Sequence, residues 1–311
     1  MADHQYPTVR NHRGLTWIKI KKPRKKEILF LQKKFGFSMM HLNDCLPPLQ
    51  SPRLIGHENY LFMILTFPVY QPKTHKIIPV EIDFFIGKNY IVTSQEIDFF
   101  PLDNLFNEYK KIKKLPDEMG TGPGVLLYEI LDKSMENARP MVTHINNDIE
   151  ELEDQIFQKI PRQKVIREIL MVRRNIVSFR KSIQSHKTII RKMLDKADNS
   201  SIFPTKRLRS YFANLVADLK EIWDILENYS ETVKALFESN ESLYSDRLNS
   251  IIKTLTIFSV IVFPLTLIAA IFGMNTEMPI VDSPYAFYKI LGLMGAGTLV
   301  MLAIFKKKRW I

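Results

Sequence analysis

Short apolar runs dominate the first third of the chain. Aromatic and branched residues are concentrated in runs that are separated by turn residues, at 15–20, 60–70, 77–86 and 90–93. Such runs predict β-strands, and the short turns between the last three predict antiparallel pairing. Helical composition at 25–34 and 103–114 predicts two helices among the strands, the second one capped by Asp103. Residues 15–115 are therefore predicted to form a mixed α/β domain.

A glycine-rich segment follows at 120–124. It lacks the Gly-Lys-Ser/Thr ending of a phosphate-binding loop, so we interpret it as a linker.

Beyond the linker the apolar residues recur every three or four positions. Two such stretches are separated by Pro161, which predicts two amphipathic helices joined as an antiparallel hairpin. The first stretch contains Ile145, Ile149, Leu152 and Ile156, and the second contains Val165, Ile169, Val172, Ile176, Phe179 and Ile183. A polar loop is predicted at 195–204. Apolar residues then keep a seven-residue repeat over 215–236, which predicts coiled-coil packing against other helices.

The last sixty residues predict two membrane spans. No Gly or Pro occurs between Pro204 and Pro264, so one helix is expected to continue into 254–276, where 23 consecutive residues are uncharged. That length crosses a bilayer core of about 30 Å. A second apolar stretch covers 285–305, with Lys289 near enough to one end to reach the interface. Buried core helices are the alternative, but two such stretches followed by a basic cluster argue against it.

The distribution of charge bears on both topology and partners. The net charge of the 311 residues is +11, but ten Lys or Arg and only two Asp or Glu lie within 1–34, and four basic residues lie at 306–309. The body between them is nearly neutral, so no nucleic acid is expected as a partner. By the positive-inside rule, the basic C-terminus lies in the cytoplasm, and two spans place the N-terminal part there as well. The expected location is the inner cell membrane, with lipid as a partner.

The chain offers little for catalysis. Its single cysteine, Cys45, excludes an intramolecular disulfide and suits a reducing compartment. The seven histidines show no metal-ligand spacing, and no nucleophile elbow or dinucleotide fingerprint occurs. We therefore expect neither an enzyme nor a resident cofactor.

Polar residues mark one side of the first predicted span. At about 100° per residue, seven positions share that side of the helix: Asn249, Ile252, Thr256, Ser259, Phe263, Thr266 and Ala270. Polar groups at membrane depth require a partner or water. From the spacing alone, helix–helix contact and pore lining are equally good interpretations.

The residues after this span carry a family resemblance. Gly273-Met274-Asn275 at the end of the first span, with Glu277 behind it, resembles the signature of the CorA family of magnesium channels. Pro264-Leu265-Thr266 within the span and the basic, aromatic ending at 306–311 are similar to family features too.

The resemblance implies a fold and a function. It implies an α/β cytosolic N-terminal domain, a long-helix bundle and two C-terminal transmembrane helices, assembled as a homopentameric funnel. The corresponding domains are 1–122, 123–250 and 251–311, with membrane helices at about 251–273 and 285–305 and the signature loop at 273–284. The seven residues on one side of the first span, from Asn249 to Ala270, are called the stripe. The stripe would line the pore, and its outer mouth would be formed by Gly273, Met274, Asn275 and Glu277. The implied cargo is Mg²⁺, with Co²⁺ and Ni²⁺ as further substrates, driven by the membrane potential.

Regulation by intracellular Mg²⁺ is also implied. In the family an aspartate on the long helix helps to bind the regulatory ion, but this chain has Asn214 at the matching position. An amide supplies an oxygen without charge, so we expect sensing to be weakened or displaced, with Asp218 one turn further as a substitute.

Two alternatives remain at this point. The zinc-transporting branch of the same superfamily typically has Ile where this chain has Met274. A membrane-tethered scaffold that binds anionic partners would leave the polar stripe without a purpose.

Overall fold

The structure is a computed structural model, and it describes residues 7–10, 15–112, 122–158, 161–200, 206, 208–274, 285–308 and 310. The chain divides into two compact units, Met1–Phe237 and Glu238–Ile311.

A six-stranded sheet forms the centre of the first unit. Its strands are β1 (Thr8–Arg10), β2 (Thr16–Lys21), β3 (Arg53–Gly56), β4 (Tyr60–Gln71), β5 (Lys76–Gly87) and β6 (Tyr90–Gln95). They are arranged in the order β1-β2-β6-β5-β4-β3. The predicted antiparallel pairing of β4, β5 and β6 is confirmed. The first predicted strand, β2, pairs in parallel with β6 and antiparallel with β1.

Nine helices lie in the described part of the chain. They are α1 (Lys25–Phe35), α2 (Met39–Asp44), α3 (Phe100–Ile112), α4 (Pro123–Glu136), α5 (Arg139–Phe157), α6 (Arg162–Ile183), α7 (His186–Ser200), α8 (Leu208–Phe272) and α9 (Ala286–Lys307). The helices predicted on either side of Pro161 are confirmed as α5 and α6, which pack against each other. The predicted continuous helix is confirmed as α8, which runs past Pro264 and contains residues of both units.

Helices cover both faces of the sheet. The first nine residues of β4 are all buried, which explains why the sequence of this strand is continuously apolar rather than alternating. On one face, α1 and α2 share a core with Ile18, Phe62 and Phe85. The other face contacts α6 and α7, where the rings of Phe67 and His186 lie 5.1 Å apart between their centroids.

Three local predictions were wrong. Asp103 does not cap its helix, because α3 begins at Phe100 and places Asp103 in the first turn. Residues 195–200 are not a loop, because α7 continues to Ser200; 201–205 lie outside the described residues. Pro123 and Gly124 are not linker, because they begin α4, where proline suits the first helical position.

Candidate functional site

The unit at 238–311 contains the C-terminal part of α8 and the helix α9, and each carries an exposed apolar segment. The most apolar 18-residue windows of α8 and α9 contain no buried residue, and both helices are long enough to cross a membrane. Large apolar side chains such as Phe258, Phe263 and Leu299 are more than half exposed. An apolar surface of this extent is stable only in lipid or against other protein.

The seven stripe residues all lie on α8, and none of them is buried. Thr256 Oγ1 donates to the Ile252 carbonyl at 2.8 Å, and Thr266 Oγ1 donates to the Val262 carbonyl at 2.9 Å. The hydroxyl protons are therefore bound by the helix itself, as is common for threonine in membrane helices. Each hydroxyl oxygen keeps lone pairs that can accept from water. The stripe can thus stay within a helix without a partner and still contact a hydrated ion.

Gly273 directly follows the last residue of α8, at a position where a side chain would be crowded. Its N–H donates to the Ala269 carbonyl at 2.9 Å, and the N–H of Met274 donates to the Ile271 carbonyl at 3.2 Å. A Cβ atom at Gly273 would lie 3.1 Å from the Ala269 oxygen, closer than ordinary van der Waals contact. Met274 is 57% exposed just beyond the helix end. The other two predicted mouth residues, Asn275 and Glu277, lie outside the described residues.

Aromatic residues mark both ends of α9. Tyr285, Phe287 and Tyr288 are exposed at its beginning. At its end the rings of Phe305 and Trp310 stack with centroids 5.8 Å apart, next to the lysines at 306–308. Aromatic rings with flanking lysines are typical of helix ends at the membrane–water interface.

The predicted regulatory residues lie on α8 in the first unit. Asn214 is exposed, and Asp218 is half-exposed and pairs with Arg139 at 3.3 Å between Nη2 and Oδ2. The guanidinium already supplies a positive charge to Asp218, so a cation would have to compete with it.

Sequence reasoning missed the neighbours of Asp218 on α4. The Tyr128 hydroxyl donates to Asp132 at 3.4 Å, and Asp218 contributes to the electrostatic environment of both groups. Burial raises the pKa of Asp132, and the charge of Glu136 raises it further. These residues showed no signal in the sequence, because α4 and α8 meet only in the folded chain.

Within the described residues, no group of three or more Asp, Glu, His or Cys side chains is placed to hold a metal ion. The described part of the first unit therefore provides no preformed metal centre of the zinc type.

The comparisons with known proteins agree with this architecture. Residues 12–307 match the family model described as CorA-like Mg²⁺ transporter protein. The chain is 26% identical over 295 residues to the putative metal ion transporter YfjQ of Bacillus subtilis, covering 94% of this chain and 89% of that protein. It is 27% identical over 303 residues to the cobalt/magnesium transport protein CorA of Thermotoga maritima, covering 95% and 83%.

A solved structure shows the same fold over nearly the whole chain. The CorA magnesium transporter of Methanocaldococcus jannaschii superimposes with a TM-score of 0.84 at 25% identity, covering 96% of this chain and 92% of that one. The α/β domain, the long helix and the two apolar C-terminal helices are therefore common to both. A family match over residues 12–307, together with this likeness, establishes that the chain belongs to the CorA-like Mg²⁺ transporter family.

Proposed function

We propose that this chain is the subunit of a channel that conducts Mg²⁺ into the cell, and also admits Co²⁺ and Ni²⁺. The observation that carries the proposal is the long helix α8. Its stripe includes three hydroxyl-bearing residues within a membrane-length apolar segment, and Gly273-Met274 directly follow its end. The names of the relatives from Thermotoga maritima and Methanocaldococcus jannaschii support magnesium and cobalt as the cargo.

The driving force needs no nucleotide. A membrane potential of 100 mV favours entry of a divalent cation by about 4.6 kcal/mol, since each elementary charge contributes about 2.3 kcal/mol. Mg²⁺ loses its water reluctantly, so a selective mouth should bind the hydrated ion. The amide of Asn275 can accept hydrogen bonds from that water without holding the ion as tightly as a carboxylate would. Glu277 would raise the local cation concentration.

The channel is proposed to be a homopentamer in the inner cell membrane. Five copies of α8 would surround the pore with Thr256, Ser259 and Thr266 facing it, and Ile252 and Phe263 would form constrictions. The basic end of α9 favours a cytoplasmic C-terminus, and two spans then put the first unit on the same side.

We propose that intracellular Mg²⁺ closes the channel, but that it binds at this position more weakly than it would bind to an aspartate. Asn214 brings no charge, and Asp218 is already paired with Arg139. Titration of Mg²⁺ should therefore show weak binding at this position. Tight binding that Asn214→Ala alone abolishes would contradict the proposal.

Uptake of divalent ions into liposomes tests the function. Purified chain should carry Mg²⁺ inward under an imposed potential, and Asn275→Ala should abolish the flux. The matched control is Asn228→Ala, which removes an exposed amide from α8 within the first unit and should leave the flux unchanged. Competition with Co²⁺, Ni²⁺ and Zn²⁺ ranks the cargo.

Two outcomes would overturn the proposal. Zn²⁺ flux without Mg²⁺ flux would place the chain with the zinc transporters. Absence of any divalent flux at all internal Mg²⁺ concentrations would favour a membrane-tethered scaffold.

A further inference from the structure

Charge is distributed unequally between the two helices of the α5–α6 hairpin. The helix α5 contains five Asp or Glu and one Arg, whereas α6 contains seven Lys or Arg and one Glu. The opposite charges largely cancel in the sum, so the nearly neutral body of the chain conceals an acidic helix that packs against a basic one.

The exposed side of α6 is basic and partly apolar. At about 100° per residue, five exposed residues lie within a sector of about 80°, opposite to the buried side chains of the helix: Arg167, Leu170, Arg174, Val177 and Lys181. These five residues are called the basic face. Its three cations recur every seven positions, and so do Leu170 and Val177, which are each 53% exposed. A seven-residue repeat of this kind is typical of a helix that packs against another helix.

The exposed side of α5 is acidic. Four exposed residues lie within a sector of about 80° at three- and four-residue steps: Asn147, Glu150, Asp154 and Phe157. These four residues are called the acidic face. Its aromatic residue, Phe157, is 70% exposed. The acidic face thus combines negative charge with an apolar side chain, as the basic face combines positive charge with aliphatic ones.

The charges of the basic face are not neutralised within their own chain. Another arginine of α6, Arg180, pairs with Glu227 of α8. The three cations of the basic face form no ion pair with any carboxylate of the described residues. Complementary charge gives an interface its specificity and its orientation. The basic face therefore fits a helix that offers carboxylates beside an apolar residue.

We propose that the basic face of α6 in one copy of this chain packs against the acidic face of α5 in the next copy. The inference rests on the proposed channel, because a pore lined by α8 needs several copies in a ring. The contact joins two different surfaces, so it is heterologous and repeats from copy to copy until the ring closes. Contact between two identical faces would bring like charges together and is disfavoured.

Cyclic symmetry determines the direction and the register of the contact. All hairpins of a ring have the same direction along its axis and the same height, so α6 of one copy runs antiparallel to α5 of the next. At 1.5 Å per residue, Asp154 lies about 4.5 Å before the end of α5, and Arg167 lies about 7.5 Å after the beginning of α6. The difference of about 3 Å is within reach of an arginine side chain. Asp154 and Arg167 are therefore the expected pair.

Disulfide cross-linking between copies tests the contact. Two differently tagged forms of the full-length chain are co-expressed, both with Cys45→Ser, one with Asp154→Cys and the other with Arg167→Cys. Oxidation should link the two forms to each other, whereas neither form should link to itself. In the matched control, Arg173→Cys takes the place of Arg167→Cys. Arg173 is an exposed arginine of the same helix, about 120° around it from Arg167, and should give no link.

Charge reversal supplies a second measurement in a chain that keeps Cys45. Native mass spectrometry of the detergent-solubilised chain gives the concentration at which the oligomer dissociates. Arg167→Glu should raise this concentration about tenfold, because repulsion replaces attraction at every contact of the ring. Asp154→Arg should have the same effect, and the two substitutions together should restore association. Arg173→Glu changes the charge of α6 equally outside the basic face and should leave dissociation unchanged.

Two results would overturn the proposal. Absence of links between the two forms, or equal linking by the Arg173→Cys control, would show that the faces do not meet. Equal dissociation of Arg167→Glu and Arg173→Glu would leave the basic face to solvent. Flux measurements keep this proposal apart from the proposed function: Asn275→Ala should lose transport while its copies still link. Linked copies without any divalent flux in the unsubstituted chain would refute the channel alone.

Discussion

Asp103→Asn should destabilise the first unit strongly, because Asp103 neutralises a buried lysine. Lys19 on β2 is only 6% exposed, and its Nζ lies 2.9 Å from Asp103 Oδ1, which belongs to a side chain that is 16% exposed. Lys21 contacts the other carboxylate oxygen at 2.5 Å. An asparagine fits the same space but leaves the Lys19 ammonium without its hydrogen-bonded counter-charge.

The magnitude follows from burial. Removal of one partner from a buried ion pair costs about 3–5 kcal/mol. Lys19 also lies 4.5 Å from the centroid of the Phe106 ring, a cation–π contact that persists and reduces the cost by about 1 kcal/mol. Lys21 is 40% exposed and retains its ion pair with Asp98 in the variant, so its loss of contact with Asp103 adds little to the cost. We expect a loss of about 3 kcal/mol, which lowers Tm by about 6–12 °C for a domain of this size.

Thermal unfolding of the detergent-solubilised chain measures this loss. Asp98→Asn is the matched control, because Asp98 is 69% exposed and bonds the same Lys21; its effect should be within about 0.5 kcal/mol. In the double variant Lys19→Met/Asp103→Asn no buried charge is left unpaired, so it should be more stable than the sum of the single effects predicts. If Asp103→Asn unfolds at the same temperature as Asp98→Asn, the pair does not stabilise the fold and the reasoning fails.

Three further predictions concern the pore and the pH response. Thr256→Val should reduce Mg²⁺ uptake without loss of stability. Its control, Thr254→Val, removes a similar hydroxyl, bonded to the Ser250 carbonyl at 3.0 Å, from the other side of α8 and should leave uptake unchanged. Equal uptake by the two variants would show that the stripe does not line the pore. Gly273→Ala should lower uptake severalfold, because its Cβ would lie 3.1 Å from the Ala269 oxygen, while Gly292→Ala, with nothing within 4 Å, should conduct normally. Burial raises the pKa of Glu129 from 4.5 to about 7, so the stability it contributes is complete below about pH 4.5 and is lost as the pH rises through about 7. In Glu129→Gln, Tm should therefore fall less between pH 5 and 8 than in the unsubstituted chain. The difference should correspond to about 1–2 kcal/mol of unfolding free energy, after allowance for partial exposure. An unchanged slope of Tm against pH would show that Glu129 does not cause the decline.

Much of the architecture is determined by local sequence. The strands β4, β5 and β6, the helices α5 and α6 and the continuous α8 were predicted from runs and periodicities within single segments. The membrane helices were predicted in the same way, because a span needs only enough consecutive apolar residues. The signature at 273–275 also lies within a few residues, and the family resemblance rests on it.

The tertiary structure decided what depends on residues far apart in the chain. Asp103 looked like a helix cap because its sequence neighbours fit one, but its partner is Lys19, 84 residues away. The polar residues at 195–200 predicted a loop, but α7 continues through them to Ser200. Burial of Met193, Leu194 and Ala197 stabilises this end of the helix. The carboxyl pair at Glu81 and Asp83 reads in sequence as ordinary strand alternation. Only the packing of Cys45 and Ser94 around Asp83 buries this carboxyl group, and the burial raises its pKa well above the usual value.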